Sequence, residues 1–155
     1  MHTHKIGHLV LIVGLATGIS SCASLLIEHV NFGWPVESVL TVTATNTVED
    51  VRYAVSFSVA GIASEEFEDS TALKGTELRL LRNTEGFYFI TGPQFKHVYV
   101  MKPGPSELVM KSKIAIGSKT LVKPALNQRP PHVELIDDNL RLLLTSDDIA
   151  EGKQQ

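Results

Sequence analysis

Residues 51–60 read VRYAVSFSVA and carry the clearest structural signal in the chain. The larger apolar side chains occupy every second position: Val51, Tyr53, Val55, Phe57 and Val59. Successive side chains of a β-strand point to opposite faces of its sheet. The period of two therefore predicts a strand with one buried face and one solvated face.

The same alternation recurs on both sides of this stretch. It predicts further strands at 40–45, 77–82, 87–91, 95–102, 107–116, 133–136 and 140–145. Turn-forming residues at 83–86, 103–106 and 137–139 separate several of them, and 95–102 should pair with 107–116 as a hairpin. Residues 60–74 fit a charged loop, a short helical turn or an edge strand. About eight short strands predict an all-β fold, an antiparallel β-sandwich of immunoglobulin-like or transthyretin-like type.

Composition limits the class of protein. The chain has 155 residues, enough for one domain, with 43% hydrophobic and 20% charged residues, so it is neither disordered nor a multi-span membrane protein. Its net charge of −3 lacks the basicity of a nucleic-acid binder, so no nucleic-acid partner is expected. The single cysteine excludes an internal disulfide framework and a Cys-rich metal site.

The first 22 residues have the parts of a secretory signal peptide. Lys5 precedes the apolar run at 9–16, and small residues then lead to Cys22. The sequence at 19–22, Ile-Ser-Ser-Cys, resembles the lipobox of bacterial lipoproteins, which is an aliphatic residue and two small residues before a cysteine. The resemblance implies that residues 1–21 are removed as a signal peptide and that Cys22 is lipidated, so that acyl chains hold the protein to a membrane.

Two other interpretations of this segment remain open. Residues 6–27 contain no Asp, Glu, Lys or Arg, and this length could span a bilayer as an uncut helix. Cys22 could also be an inert buried thiol. Both the lipoprotein and the uncut anchor place the rest of the chain outside the cytoplasm.

The same resemblance bears on location and on the domain boundaries. In enterobacterial lipoproteins an aspartate after the cysteine favours the inner membrane, whereas here Ala23 and Ser24 follow it. This favours the outer membrane, with the domain facing the periplasm. We divide the chain into the signal peptide (1–21), the lipidated cysteine with its tether (22–34), the β-sandwich (35–146) and a flexible polar tail (147–155).

No sequence motif for catalysis is present. The chain has no Gly-x-Ser-x-Gly elbow, no Ser-x-x-Lys, no His-Glu-x-x-His and no glycine-rich phosphate loop. We therefore predict no catalytic residue and no cofactor, although an active site is defined in space and not by sequence order.

Two histidines, His97 and His132, are candidate ligands. His132 lies near Glu134, Asp137 and Asp138, but the two aspartates are better explained as turn formers, so no metal site is predicted. His97 falls inside a predicted strand and is expected to be a packed or half-buried histidine.

Charge is unevenly distributed along the mature chain. Residues 94–129 hold seven basic residues and one acid, whereas 37–93 hold nine acids and four bases, and 130–155 hold six acids and two bases. One interpretation is a patch for an anionic partner such as lipopolysaccharide, phospholipid headgroups or an acidic protein surface. The other is a set of basic strands laid beside acidic ones. The seven are Lys96, Lys102, Lys111, Lys113, Lys119, Lys123 and Arg129.

These observations favour one function and leave alternatives open. The favoured hypothesis is a lipid-anchored, non-enzymatic binding or assembly accessory of the bacterial cell envelope. Its expected partner is an envelope protein, and anionic lipid is a further possible partner. The first alternative is a sandwich that holds a lipid or other amphiphile between its sheets. The second is a small hydrolase or metal site near His132.

Overall fold

The computed structural model of the protein describes residues 36–105 and 107–154. The predicted signal peptide, Cys22 and the tether lie outside these residues. The elements, in chain order, are β1 (Ser38–Thr41), β2 (Thr47–Asp50), β3 (Val55–Ser58), α1 (Ala60–Phe67), β4 (Glu77–Arg82), β5 (Tyr88–Thr91), β6 (His97–Pro103), β7 (Leu108–Ala115), β8 (Ala125–Arg129), β9 (His132–Asp137), β10 (Leu140–Leu144) and β11 (Ile149–Gln154).

The strands form three antiparallel sheets. Sheet A has the order β1-β4-β5-β6-β7, sheet B is the β2–β3 hairpin, and sheet C has the order β11-β10-β9-β8. The predicted all-β antiparallel sandwich is confirmed. Within the described part of the chain, no helix has the length and apolar character needed to cross a membrane.

Sheet A is covered on both faces. Tyr99 on β6 bonds to Glu66 of α1, which places the helix over one face, named here the helix face. Ser112 points to the other face, where its hydroxyl donates to the Ser146 carbonyl at the end of β10 (2.6 Å). Sheet C therefore covers this second face, named here the inner face.

Burial follows from this layering. In β5 every residue is buried, and in β6 four consecutive residues are buried, because both faces of these central strands meet other elements. One continuous core results. Its largest fully buried side chains are Tyr99, Phe89, Phe95, Leu78, Leu80, Leu81, Ile90, Leu121, Leu135 and Leu144.

The predicted strand at 51–60 is wrong in part. Residues 51–54 form the turn of the β2–β3 hairpin, β3 covers only 55–58, and Ala60 begins the helix. Ala54 has a φ of 51°, a left-handed conformation that closes the turn without a glycine. Likewise, the strand predicted at 40–45 ends at Thr41.

Residues 60–74 resolve into a short helix followed by turns. Of the three alternatives left open, the helical turn is the one that forms, as α1. Glu68 ends it with a φ of 58° and donates its N–H to the Ser64 carbonyl.

The carboxyl-terminal third differs from expectation in two places. The predicted hairpins 95–102/107–116 and 133–136/140–145 are confirmed as β6–β7 and β9–β10. Strands β8 and β11 were not predicted. Residues 149–154 of the expected flexible tail pair with β10 as β11.

Candidate functional site

The seven basic residues of block 94–129 do not form one cluster. Lys96 precedes β6 and Lys102 lies near its end, about 20 Å away at 3.3 Å per residue. Lys123 precedes β8, and Arg129 is the last residue of that strand in sheet C. Lys111 and Lys113 lie within the edge strand β7, so the seven positions are spread along sheet A and onto sheet C.

Three of the seven are held by acids. Lys111 donates to Asp147 and stands 5.2 Å from the centre of the Phe87 ring. Lys113 lies 3.0 Å from a Glu65 carboxylate oxygen. Arg129 pairs with Glu134 on sheet C. In the part of the chain that the structure describes, Lys96, Lys102, Lys119 and Lys123 are exposed and form no ion pair. Binding of an anionic partner by this block stays a prediction.

A buried carboxylate joins α1 to sheet A. The Glu66 side chain is only 1% exposed. One oxygen accepts the Lys96 backbone N–H, and the other lies 2.8 Å from both His97 Nδ1 and the Tyr99 hydroxyl. These residues are the Glu66 cluster. No sequence pattern indicates this cluster, because Glu66 stands in an acidic run that is typical of a solvated loop.

The chemistry of the Glu66 cluster is that of a structural anchor. A carboxylate accepts hydrogen bonds, so His97 Nδ1 and the Tyr99 hydroxyl are its donors. Burial, and then the hydrogen bond to Glu66, raises the pKa of Tyr99 well above its usual value, so its phenol stays protonated. His97 is half-buried, as expected. The described residues hold no group of three His, Cys, Asp or Glu side chains that could bind a metal.

A second charged cluster lies on the outer face of sheet C. Glu134 on β9 is opposite Asn127 on β8, and its side chain is 7% exposed. The same carboxylate oxygen lies 3.1 Å from Arg129 Nη1 and 3.6 Å from Arg141 Nη1. We call Arg129, Glu134 and Arg141 the arginine clasp.

The clasp presents two guanidinium groups, Arg129 hydrogen-bonded to Glu134 and Arg141 within ion-pair distance of it. Their side chains are 64% and 51% exposed, whereas the carboxylate between them is buried. One carboxylate balances only one of the two positive charges, and each guanidinium keeps further N–H donors. A guanidinium pairs well with the planar oxygens of a carboxylate or phosphate. The clasp can therefore accept an anionic group from outside.

The remaining acids near His132 have other partners. His132 shares the outer face with Glu134 and is paired in register with Arg129. Asp137 is buried and accepts the backbone N–H groups of Val122 and Lys123, so it anchors the loop before β8 and does not only form a turn. The expected turn role holds for Asp138, which has a φ of 48° between β9 and β10.

Comparison of this chain with known proteins identifies no relative. No protein-family model, no curated protein and no solved structure matches this chain significantly.

Proposed function

We propose that this protein is a lipid-anchored, non-enzymatic accessory of the bacterial cell envelope that binds an acidic segment of a partner protein. The observation that carries the proposal is the Ile-Ser-Ser-Cys pattern at 19–22, placed after an apolar run and ahead of a folded β-domain. Val36 is fourteen positions after Cys22, so the tether reaches at most about 50 Å. Confinement near a membrane raises the effective concentration of the domain for a partner there.

The arginine clasp supports the binding part of the proposal. Arginine is enriched at protein interfaces and among the residues that dominate binding energy. Because Glu134 hydrogen-bonds to Arg129 and holds Arg141 within ion-pair distance, less side-chain entropy is lost when a partner carboxylate pairs with them. The space between the sheets is filled by side chains such as Phe89 and Leu135, which favours a surface role over an interior lipid pocket.

The anchor is tested by metabolic labelling with an alkyne analogue of palmitate in a bacterial host. The wild-type protein should incorporate the label and fractionate with membranes, and the Cys22→Ser variant should lose both properties. Equal incorporation in the two proteins would refute lipidation at Cys22.

The binding surface is tested by site-specific photo-crosslinking in intact cells. A photo-reactive amino acid at Asn127, beside the clasp, should give a defined adduct with one protein, whereas the same group at Val122 should not. The triple variant R129Q/E134Q/R141Q removes the clasp without leaving a buried charge unpaired, and it should abolish the adduct. Lys102→Gln is the matched control, and it should retain the adduct. An adduct that survives the triple variant would contradict the proposed surface.

A further inference from the structure

Exposed apolar side chains concentrate at one end of sheet A. Six large hydrophobic residues of the described chain are more than one-third exposed: Val36 (55%), Val39 (47%), Val51 (83%), Val109 (38%), Met110 (38%) and Val122 (60%). Four of them lie at the end where residue 36 continues into the tether. We call this the tether end, and its exposed apolar residues are Val36, Val51, Val109 and Met110.

Strand register places Met110 at the tether end. Ser38 on β1 is paired with Leu80, two residues before Arg82 on β4. From Arg82 the register runs directly across the sheet through Tyr88, Met101 and Met110. Since Val36 precedes Ser38, it stands at the same end of the sheet as Met110.

Side-chain contacts bring the β2–β3 turn to this end. Arg52 Nη1 donates to the Val36 carbonyl (2.6 Å), and the Tyr53 ring packs edge-on against Tyr88 with centroids 5.9 Å apart. Val51, at the tip of the turn, is the most exposed of the six hydrophobic residues. The turn and the start of β1 therefore form one continuous surface.

The opposite end of sheet A supplies a comparison. Val122 belongs there, because its neighbour Leu121 donates its N–H to the Phe95 carbonyl and accepts the Gln94 N–H just before β6. The β1–β2 connection also reaches that end, and it is closed by hydroxyl contacts among Thr43, Thr45 and Thr47. One exposed valine at a polar end contrasts with four exposed apolar residues at the tether end.

We propose that the tether end lies against the lipid bilayer, with Val51 and the other exposed apolar residues of this end in contact with the interfacial region. This inference rests on the proposed lipid anchor. The occupant is the membrane because the chain that leads to Cys22 leaves the domain at this end. Exposed bases (Arg52 and Lys102) and exposed acids (Glu85 and Glu107) both lie at this end, so the apolar side chains and not net charge carry the contact. Each side chain binds lipid weakly, and the tether makes the contact effective by holding it close.

The proposed contact with the bilayer also orients the domain. Strands of sheet A that end at the bilayer run away from it, so the outer face of sheet C stands to the side of the domain. The arginine clasp is then open to a partner in the same membrane.

The test uses the full-length protein, purified from a host membrane and reconstituted in vesicles of phosphatidylethanolamine and phosphatidylglycerol. Val51→Cys and the matched Val122→Cys variant are labelled with a solvent-sensitive fluorophore. Lipids brominated in the upper acyl chain then serve as quenchers. At position 51 we expect emission to shift to shorter wavelength and quenching at least twofold greater than at position 122. A third labelled position, Met110→Cys, should behave like position 51, and adding Val36→Asp should reduce its quenching.

Each outcome separates the contact from the anchor. If the proposed lipid anchor is wrong, the protein either fails to float with the vesicles or floats equally well as the Cys22→Ser variant. If the anchor holds and the contact is wrong, the protein floats but positions 51 and 122 are quenched equally. Shielding of position 51 in native membranes but not in pure lipid would assign the tether end to a protein partner and overturn the proposal.

Discussion

Replacing Glu66 with alanine should lower the free energy of unfolding by about 3 kcal/mol. The change removes the acceptor of three hydrogen bonds and leaves the fully buried Tyr99 hydroxyl without a partner. A buried polar group without a partner costs about 1–3 kcal/mol, and a hydrogen bond to a charged group is worth about 1.5–3 kcal/mol. His97 and the Lys96 N–H lie near the surface and can bond to water instead, which keeps the total below the sum of three bonds.

A double-mutant cycle separates this effect from loss of helix packing. Tyr99→Phe alone should cost about 1–2 kcal/mol, since it removes one hydrogen bond to the carboxylate. The double variant E66A/Y99F no longer contains an orphaned hydroxyl. It should therefore be more stable than the sum of the single effects predicts, by about 1–2 kcal/mol.

The measurement is urea unfolding followed by circular dichroism, compared at constant m-value. Glu65→Ala is the matched control, because its partner Lys113 and the Glu65 side chain are both near 40% exposed. An exposed ion pair of this kind is worth less than about 1 kcal/mol. Strictly additive effects of E66A and Y99F, or an equal loss in E65A, would refute the proposed role of the Glu66 cluster.

The pH dependence of stability, the space around two glycines and the loop before β8 can each be tested by substitution. Unfolded tyrosine ionises near pH 10 and buried Tyr99 does not, so Tyr99 should make stability fall above pH 10 by about 1.4 kcal/mol per pH unit. Between pH 9.5 and 11, the urea midpoint should fall less steeply with pH in Tyr99→Phe than in the wild type. The pH dependence that remains in the variant comes from Tyr88, whose pKa is also raised by burial. Gly92→Ala should destabilise by about 1–3 kcal/mol, because its Cβ would stand 2.8 Å from a buried leucine methyl. The Cβ of Gly61→Ala meets nothing within 4 Å, so this variant should stabilise α1 by about 0.5 kcal/mol. If the Gly92→Ala and Gly61→Ala variants melt at the same temperature, the predicted crowding at position 92 and the predicted free space at position 61 are both wrong. Asp137→Ala should cost about 1–3 kcal/mol and speed amide exchange in the loop before β8, and unchanged exchange would exclude the anchoring role.

Alternation predicted the strands that are buried on one face and closed by clear turns. The β6–β7 and β9–β10 hairpins follow from local pattern, because proline and glycine at 103–105 and Asp138 interrupt the chain where it reverses. The sheet order and the double burial of β5 depend on residues far apart in sequence. Such long-range pairing leaves no local trace.

The turn at 51–54 shows how a local signal can mislead. Val51 and Tyr53 fit the period of a strand, yet the chain reverses there and Val51 is 83% exposed. Ala54 adopts a conformation that usually favours glycine or asparagine, so no turn residue marked the place. The contact of Tyr53 with Tyr88, 35 positions away, stabilises the turn through tertiary packing.

The Glu66 cluster and the arginine clasp could not be predicted from the sequence for a related reason. Glu66 is buried by residues 30 to 33 positions away, and Arg141 meets Glu134 only because β9 and β10 are adjacent in sheet C. Strand β8 (ALNQR) also lacks an apolar period, because the polar Gln128 follows Leu126 at the next inward-facing position. Cys22 and the interpretation of residues 1–34 stand on sequence alone.

Sheet A receives its two covers from separate parts of the chain. Residues 47–67 supply the cover over the helix face and are made early, whereas the inner face waits for residues 125–154. Because the polypeptide is made from its amino terminus, Phe89, Val98 and Ile114 stay exposed to solvent until the strands of sheet C have been made. A frameshift or stop codon near position 124 would therefore leave the apolar inner face of sheet A exposed. Quality-control proteases should degrade such a truncated chain, which would not form a smaller stable domain.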